Sequence, residues 1–355
     1  MIHNFNAGPS ILPKVVMEEA SRAILDFNGT GLSILEIGHR TPLFESVLNE
    51  DRELAKDLMQ LDTDHEILFL HGGATTQFFQ VPMNFLNEGE TASYLDCGIW
   101  GTKAIKEAKL FGNVNVVASS KDKNYTYIPK KFVIPEESVY FHYTTNNTIE
   151  GTEMFDIPDT NVPLVADMSS DILSHTMDFN RFALIYAGAQ KNIGAAGVNM
   201  VIVRKDMLGK ISRKLPGMMD YRQHIEAGSM LNTPPVFAIY VCMLTLRWLK
   251  QLGGIAAIEQ LNRKKSSLLY ETLDELPVFH PTVAKEDRSK MNVVFVIDEP
   301  ELEKEFLATC KEHKMIGVKG HRSVGGFRIS LYNALELESV IAVTELMKDF
   351  ATKKA

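Results

Sequence analysis

The chain has 355 residues, of which 45% are hydrophobic and 23% are charged, which is typical of a soluble globular protein with about two domains. Its 37 lysines and arginines against 45 acidic residues give a net charge of −8, which argues against a general binder of nucleic acid or of anionic membranes. The three cysteines are widely spaced and form no CxxC pair, so we expect no disulfide framework and no bound metal.

The N-terminal sequence MIHNFNAGPS has no basic segment followed by an apolar one, and the chain has no run of about 18 apolar residues. We therefore expect a cytoplasmic protein that is neither exported nor inserted in a membrane. The signatures of phosphate-binding loops, dinucleotide-binding turns, zinc proteases and serine hydrolases are absent as well (GxxxxGK(S/T), GxGxxG, HExxH and GxSxG). Their absence disfavours those classes of function.

The first two thirds of the chain alternate short apolar runs with helical patterns. Seven of these runs are predicted to form buried strands: 66–73, 91–98, 113–120, 138–145, 162–170, 183–190 and 198–205. Helical patterns over 75–87 and 100–111 separate some of them, and this order is typical of a largely parallel sheet. Ligands of such sheets bind beyond the carboxyl ends of the strands, so we expect the site there.

The last third begins with two helical patterns, 236–252 after a pair of prolines and 254–276 after a pair of glycines. We interpret these helices as a hinge region. A further α+β unit follows, predicted as strand, helix, strand and helix over 292–297, 300–313, 325–332 and 335–350. The sequence therefore indicates two domains with a cleft between them.

An acid and a lysine each follow one of the predicted strands. Asp167 ends the apolar run VPLVAD, and Lys191 follows ALIYAGAQ. Either residue alone would ordinarily be interpreted as a solvated loop residue, but small residues surround Lys191, as the close approach of a flat ring to the backbone requires. A lysine in such a partly dry site has a lowered pKa. Pyridoxal phosphate (PLP) chemistry needs this pair, a lysine to hold the cofactor and an acid at the pyridinium nitrogen.

Weaker signals accompany the pair. In HGGATT the backbone N–H groups from Ala74 onward open a predicted helix, whose N-terminus favours an anion such as a phosphate, although a plain turn is the commoner role of such glycines. Thr148 and Trp100 fit a cofactor site but equally fit a capped loop and a packed core. Three other aromatic side chains are predicted to be structural: Trp248, His71 and His142.

Several segments resemble the phosphoserine aminotransferases, in the order in which that family carries them. They are NFNAGPSILP, GTGLSILEIGHR, HGGATTQF, GIWGTKAIKEA, NNTIEGTE, VADMSSDILS, YAGAQKNIG, LNTPP and KGHRSVGGFRISLYNA. The resemblance covers essentially the whole chain. It implies transamination between glutamate and 3-phosphohydroxypyruvate in serine biosynthesis, and often activity on the 4-phosphohydroxythreonine analogue of vitamin B6 biosynthesis.

The resemblance also implies an α/β fold of the aspartate aminotransferase type (PLP fold type I). We expect a large PLP-binding domain (14–257) with a mainly parallel seven-stranded sheet, a smaller C-terminal α+β domain (258–355), and an N-terminal segment (1–13) that packs near the small domain and the cleft. A homodimer with shared active sites is implied, and no nucleic-acid or membrane partner.

By the same resemblance, Lys191 forms the Schiff base with PLP, Asp167 pairs with the pyridinium nitrogen and Trp100 stacks on the ring. Thr148 lies near the phenolic oxygen. The residues implied at the cofactor phosphate are Ala74, Thr75 and Gln190, joined by Asn232 and Thr233 of the other subunit.

The substrate side is implied to be basic. Arg328 is the expected carboxylate clamp, Arg40 another basic position facing the substrate, and the residues at the substrate phosphate are His39, His321 and Arg322. A Gly-His-Arg triplet occurs at 38–40 and again at 320–322, and two short basic clusters in an acidic chain suit a doubly anionic small substrate. Some family members carry arginine where this chain has Thr75, which affects the expected phosphate contacts.

Two other functions remain open at this point. A lyase or desulfurase of the same fold would need a cysteine on a mobile loop, whereas Cys310 lies in a helical pattern. A PLP-binding regulator without catalysis would share the fold but would leave Lys191 and Asp167 without a purpose.

Overall fold

The computed structural model describes residues 1–354. Its helices are α1 (Lys14–Leu25), α2 (Pro42–Met59), α3 (Gly73–Phe85), α4 (Ile99–Ala108), α5 (Tyr221–Glu226), α6 (Val236–Gln251), α7 (Gly254–Glu275), α8 (Pro300–Glu312) and α9 (Leu337–Lys354). Its strands are β1 (His3–Asn4), β2 (His65–His71), β3 (Thr91–Asp96), β4 (Asn113–Ser119), β5 (Phe141–Thr144), β6 (Asn146–Asn147), β7 (Thr152–Glu153), β8 (Leu164–Asp167), β9 (Phe182–Gly188), β10 (Val198–Arg204), β11 (His280–Pro281), β12 (Asn292–Val296), β13 (Met315–Ile316) and β14 (Phe327–Ser330).

The seven apolar runs predicted as strands form one sheet, in the order β2-β10-β9-β8-β5-β3-β4. Strand β10 is antiparallel to both of its neighbours, and the other strands run parallel to one another. The predicted α/β class with a mainly parallel seven-stranded sheet is confirmed. The runs 138–145 and 162–170 were predicted too long, because β5 covers only Phe141–Thr144 and β8 only Leu164–Asp167. After β8 the chain continues into a buried turn whose Ser169 and Ser170 line the site.

Both faces of this sheet are covered, which is why its strands read as nearly continuous apolar runs. Along β2, Ile67 and Phe69 pack in one cluster with α1, α2 and α6. Leu68 and Leu70 point to the opposite face and pack with α3 and α4. Successive side chains of a strand alternate between faces, so a single short run supplies both cores and holds its carboxyl end rigidly in place.

The C-terminal part of the chain has a core of its own. Strands β11, β12 and β14 form an antiparallel sheet, covered by a cluster that includes Phe295, Phe306 and Phe327. The N-terminal segment joins this unit, because β1 pairs with β13 and Phe5 is buried in the same cluster.

Helices α6 and α7 connect the two parts of the chain. Helix α6 is largely buried against the large sheet, and α7 leaves it at an angle of 83°. Among the described residues, no single helix is long and apolar enough to cross a membrane; α6 and α7 meet that requirement only when they are taken together as a bent pair.

Candidate active site

A cavity of about 510 Å³ opens at the carboxyl ends of the parallel strands, where the sheet topology predicts a ligand site. Its size is that of ordinary small-molecule sites. The residues that line it are Gly8, Pro9, Gly72, Gly73, Ala74, Thr75, Phe78, Trp100, Thr144, Asn146, Thr148, Asp167, Ser169, Ser170, Gln190, Lys191, Ala196 and Gly197. Seven residues predicted to contact the cofactor are therefore together in one cavity: Ala74, Thr75, Trp100, Thr148, Asp167, Gln190 and Lys191.

Asp167 is the last residue of β8, and its side chain is only 4% exposed. The backbone N–H of Ser169 donates a hydrogen bond of 2.9 Å to its Oδ1. Burial raises the pKa of Asp167, while the Ser169 hydrogen bond and the charge of Lys191 oppose that shift. A buried carboxylate in this position is stabilised by a cationic partner, and a pyridinium nitrogen is one.

Lys191 lies in the turn after β9, and its Nζ donates a hydrogen bond of 2.6 Å to Thr148 Oγ1. Burial lowers the pKa of Lys191 to about 8, against the opposing charge of Asp167 and with help from the positive charge of Arg328. An amine with such a pKa is partly neutral near physiological pH and can act as a nucleophile. The N-terminal segment holds this turn, since Ser10 Oγ donates to the Lys191 carbonyl at 2.6 Å.

The turn between β2 and α3 forms an anion cradle. Gly72 has φ 91° and Gly73 has φ 64°, and a Cβ at Gly72 would overlap the Thr76 hydroxyl. Gly73 instead faces open space, so the first N–H groups of α3 are accessible from the cavity. A helix N-terminus with free N–H groups favours a phosphate, and the geometry therefore fits the phosphate group of PLP.

Trp100 is half-buried in the first turn of α4 and lines the cavity beside Phe78, with ring centroids 6.4 Å apart. Its Nε1 is buried without a protein partner. An indole ring at a cavity wall can stack on a flat cofactor ring. Trp248 packs against the large core, in the structural role predicted for it.

Arg328 on β14 reaches the site from the C-terminal unit. Its Nη1 donates to the Thr148 carbonyl at 3.3 Å, and its Nε is buried without a protein partner. His321 is half-buried and pairs its Nδ1 with Ser323 Oγ at 2.7 Å. Burial lowers the pKa of His321, and the charges of Arg328, Arg322 and Lys103 lower it further. Arg328 therefore lies beside Thr148 at the cavity, whereas neither His321 nor the exposed Arg322 lines it.

Of the predicted residues that the structure describes, seven lie outside the cavity lining: His39, Arg40, Asn232, Thr233, His321, Arg322 and Arg328. Arg40 and Thr233 are exposed, and His39 and Asn232 are half-buried. The Thr233 carbonyl lies 2.9 Å from His71 Nε2, which anchors the loop at the end of β2. The prediction for His71 was wrong in one respect: His142 is buried, but His71 is exposed because it ends its strand.

The sequence reasoning missed the groups behind Asp167. Asp171 is 1% exposed and accepts a hydrogen bond of 2.6 Å from Thr145 Oγ1. Burial raises the pKa of Asp171 to about 7, and the nearby charge of Asp167 adds to the shift. Asp171, Glu153 and His175 place ligand-type atoms within 4.8 Å of one another and could hold a metal ion. The sequence offered one signal for this cluster, namely that a second aspartate, Asp171, follows Asp167 in the segment VADMSSD.

Comparisons with a family model and with curated proteins indicate the same family. The family model of the class-V aminotransferases matches residues 2–343. The chain is 53% identical over 352 residues to a phosphoserine aminotransferase of Flavobacterium johnsoniae, with 99% of each chain covered. It is 51% identical over 350 residues to the phosphoserine aminotransferase of Bacteroides fragilis, with 98% of each covered.

Solved structures agree with these relatives. Phosphoserine aminotransferase from Bacillus circulans subsp. alkalophilus superposes with a TM-score of 0.97 at 44% identity, covering 100% of this chain and 99% of that one. The PLP-bound phosphoserine aminotransferase from Trichomonas vaginalis superposes with a TM-score of 0.94 at 36% identity, covering 98% of this chain and all of the other.

Proposed function

Since this chain belongs to the phosphoserine aminotransferases within the class-V aminotransferase family, we propose that its cavity catalyses amino-group exchange between glutamate and 3-phosphohydroxypyruvate. It is a PLP-dependent enzyme of that family. The observation that supports the residue assignment is that Lys191 and Asp167 line the same cavity. The N-terminus of α3, which can hold a phosphate, lines that cavity as well. We further propose that the enzyme serves serine biosynthesis in the cytoplasm and also acts on the 4-phosphohydroxythreonine analogue.

PLP, when bound, supplies an electron sink that stabilises negative charge at the substrate Cα. The N–H groups at the start of α3, with Thr75 and Gln190, would hold its phosphate, and Trp100 would cover its ring. Asp167 would keep a proton on the pyridine nitrogen, because its buried carboxylate needs a cationic partner. Thr148 would lie at the phenolic oxygen, next to the lysine whose amine it already contacts.

Lys191 has two roles in this proposal. Its Nζ would be the amine that holds the cofactor, and as a free amine it would be the base that takes and returns the proton at the substrate Cα. Its pKa of about 8 suits both roles, because a base works best when its pKa lies near the operating pH. The Thr148 hydroxyl orients the amine before reaction.

The substrate is held by basic side chains around the opening. Arg328 is the proposed carboxylate clamp, since its guanidinium is partly buried beside Thr148 and an arginine fork matches a carboxylate. The proposed phosphate contacts are His39, His321 and Arg322, and Arg40 is a further basic side chain that faces the substrate. The exposed positions of Arg40 and Arg322 suit a substrate that is bound and released in every cycle.

We propose a homodimer with shared sites. The loop with Asn232 and Thr233 is followed by Pro234 and Pro235, which restrict its backbone, and its exposed Thr233 side chain is free to reach a neighbouring subunit. The proposed domains are 14–257 and 258–355, with 1–13 joining the smaller one. The pairing of β1 with β13 and the contact of Ser10 with Lys191 support the placement of that segment at the cleft.

A desulfurase is the less supported alternative. All three cysteines are buried, and burial raises the pKa of the thiol of Cys310 on α8 to about 12. A nucleophilic cysteine requires a lowered pKa and access to substrate. Neither condition is met.

The proposal is tested by the visible absorbance of the cofactor-loaded enzyme. Glutamate and phosphoserine should each convert the aldehyde form of the cofactor to the amine form, and 2-oxoglutarate should reverse the change. L-Serine is the matched control and should react far more slowly. Release of inorganic phosphate and pyruvate from phosphoserine would instead indicate a lyase, and an unchanged spectrum with both amino donors would indicate a non-catalytic protein.

A further inference from the structure

Lys103 is a positively charged side chain near the cavity that the assignments above do not use. It is exposed on α4, and its Nζ lies 4.3 Å from the centroid of the Trp100 ring. An ammonium over an indole face is attracted to it, so the long side chain is held in one orientation. Among the ion pairs of residues 1–354, none includes Lys103. Its charge is therefore available to a ligand.

A second pocket of about 560 Å³ connects Lys103 to the active site. Gly72, Thr75 and Phe78 line both this pocket and the main cavity, and the rest of the second pocket is lined by Thr76, Phe79, Lys103, Lys106 and Glu107. The two spaces are thus contiguous at Thr75. Lys103 faces the same opening as the start of α3 but from the opposite helix.

The charge of Lys103 also reaches His321. Burial lowers the pKa of His321, and the positive charges of Arg328, Arg322 and Lys103 lower it further. Lys103 is therefore within electrostatic range of this proposed phosphate contact.

We propose that Lys103 is a further substrate-binding residue, which uses its ammonium to contact the phosphate of the phosphorylated substrate across the opening next to Thr75. The inference rests on the proposed function of the cavity. Lysine serves as a compact point charge for phosphate, and Trp100 orients it before substrate arrives. Lys103 thus contributes to selectivity for phosphorylated over unphosphorylated amino acids.

The test compares four variants of the cofactor-loaded enzyme: Lys103→Ala, Lys103→Met, Lys103→Arg and, as a matched control at an exposed lysine that lines neither pocket, Lys109→Ala. Stopped-flow absorbance measures kcat/KM for the phosphoserine and the glutamate half-reactions. The alanine and methionine variants should lose about 10- to 100-fold with phosphoserine and no more than a few-fold with glutamate. Lys103→Arg should retain most activity, and Lys109→Ala should match the wild type.

If Lys103→Met keeps wild-type kinetics, the side chain acts by packing on Trp100 and the inference is wrong. Equal losses for both substrates would also overturn it. Failure of the wild-type enzyme to react with phosphoserine would instead overturn the proposed function. The wild-type measurement therefore distinguishes an error in the proposed function from an error in the role of Lys103.

Discussion

The proposed cofactor side of the site includes a buried charged group, whereas the proposed substrate side includes charged groups that are exposed to water. Asp167 is 4% exposed and lies at a strand end of the large sheet, whereas Arg40 and Arg322 are exposed on loops. Buried charges at rigid strand ends hold one geometry, because moving them would leave an unpaired charge in the core. Moving an exposed cation costs less free energy, because water still solvates its charge. Exposed cations therefore suit a ligand that is exchanged in every cycle.

The two sides also differ in how many of their predicted residues a single chain brings together. Seven of the predicted cofactor residues meet in the described cavity, while its lining excludes the other seven predicted residues: His39, Arg40, Asn232, Thr233, His321, Arg322 and Arg328. The buried part of the site therefore assembles when one chain folds. Under the proposed function, substrate or a second subunit completes the exposed part.

The largest expected effect is on the buried side. Lys191→Ala should reduce turnover about 10⁴-fold or more, because it removes the nucleophile and the group that moves the proton. Single-turnover absorbance with glutamate measures the loss, and circular dichroism checks folding. Lys191→Arg is the matched control that keeps a cation but should be equally inactive. Near-normal transamination by either variant would remove Lys191 from its assigned role.

The exposed side should give smaller and substrate-dependent effects. Arg322→Ala should lower kcat/KM for phosphoserine by about 10- to 100-fold through the loss of a charged hydrogen bond, and for glutamate much less, since glutamate carries no phosphate. Arg328→Ala should impair both half-reactions because both substrates have an α-carboxylate. Equal losses for the two substrates in Arg322→Ala would contradict the phosphate assignment and leave the transaminase assignment intact.

Mixing two inactive variants tests whether each active site needs residues from both subunits. Lys191→Ala is combined with an Asn232→Ala/Thr233→Ala double variant under conditions of demonstrated subunit exchange. If each site borrows from its neighbour, heterodimers contain one intact site, and roughly a quarter of all sites should become active. Turnover of the mixture is compared with that of each parent. Exchange without any recovery would argue against shared sites.

The smallest effect concerns the buried acids behind the cofactor side. Burial raises the pKa of Glu153 to about 8, so the folded protein binds a proton that the unfolded chain has already released at lower pH. Stability should therefore fall as the pH rises toward 8. Asp171, with a pKa of about 7, acts in the same direction. His175, whose pKa burial lowers to about 4, acts oppositely, but only below about pH 6.5.

The test measures the thermal midpoint from pH 6.5 to 8 at one protein concentration. Glu153→Gln should flatten the decline seen in the wild type, since the amide does not titrate. Glu136→Gln changes an exposed glutamate and is the control. If Glu153→Gln leaves the slope unchanged, the carboxyl of Glu153 is ionised throughout this range.

Much of the fold followed from local patterns. The seven strands, α3, α4 and the two helices after the paired prolines were all predicted within a few residues of their positions, because apolar runs and periodicity report burial directly. Lys191 and Asp167 were found from the residues themselves, since a charge at the end of an apolar strand conflicts with its surroundings. The roles of the basic substrate residues came from family resemblance, with support only from the repeated Gly-His-Arg triplet, because exposed charges leave no such local conflict.

The sequence by itself determined which segments are buried and which charged groups end them, because hydrophobic periodicity acts over a few residues. Only the tertiary structure decided which segments are neighbours. It inserts β10 antiparallel between β2 and β9, brings Arg328 to the Thr148 carbonyl, and joins the pocket of Lys103 to Thr75. These contacts depend on how separate segments pack on one sheet, and no local pattern records the position of a partner far away in the chain.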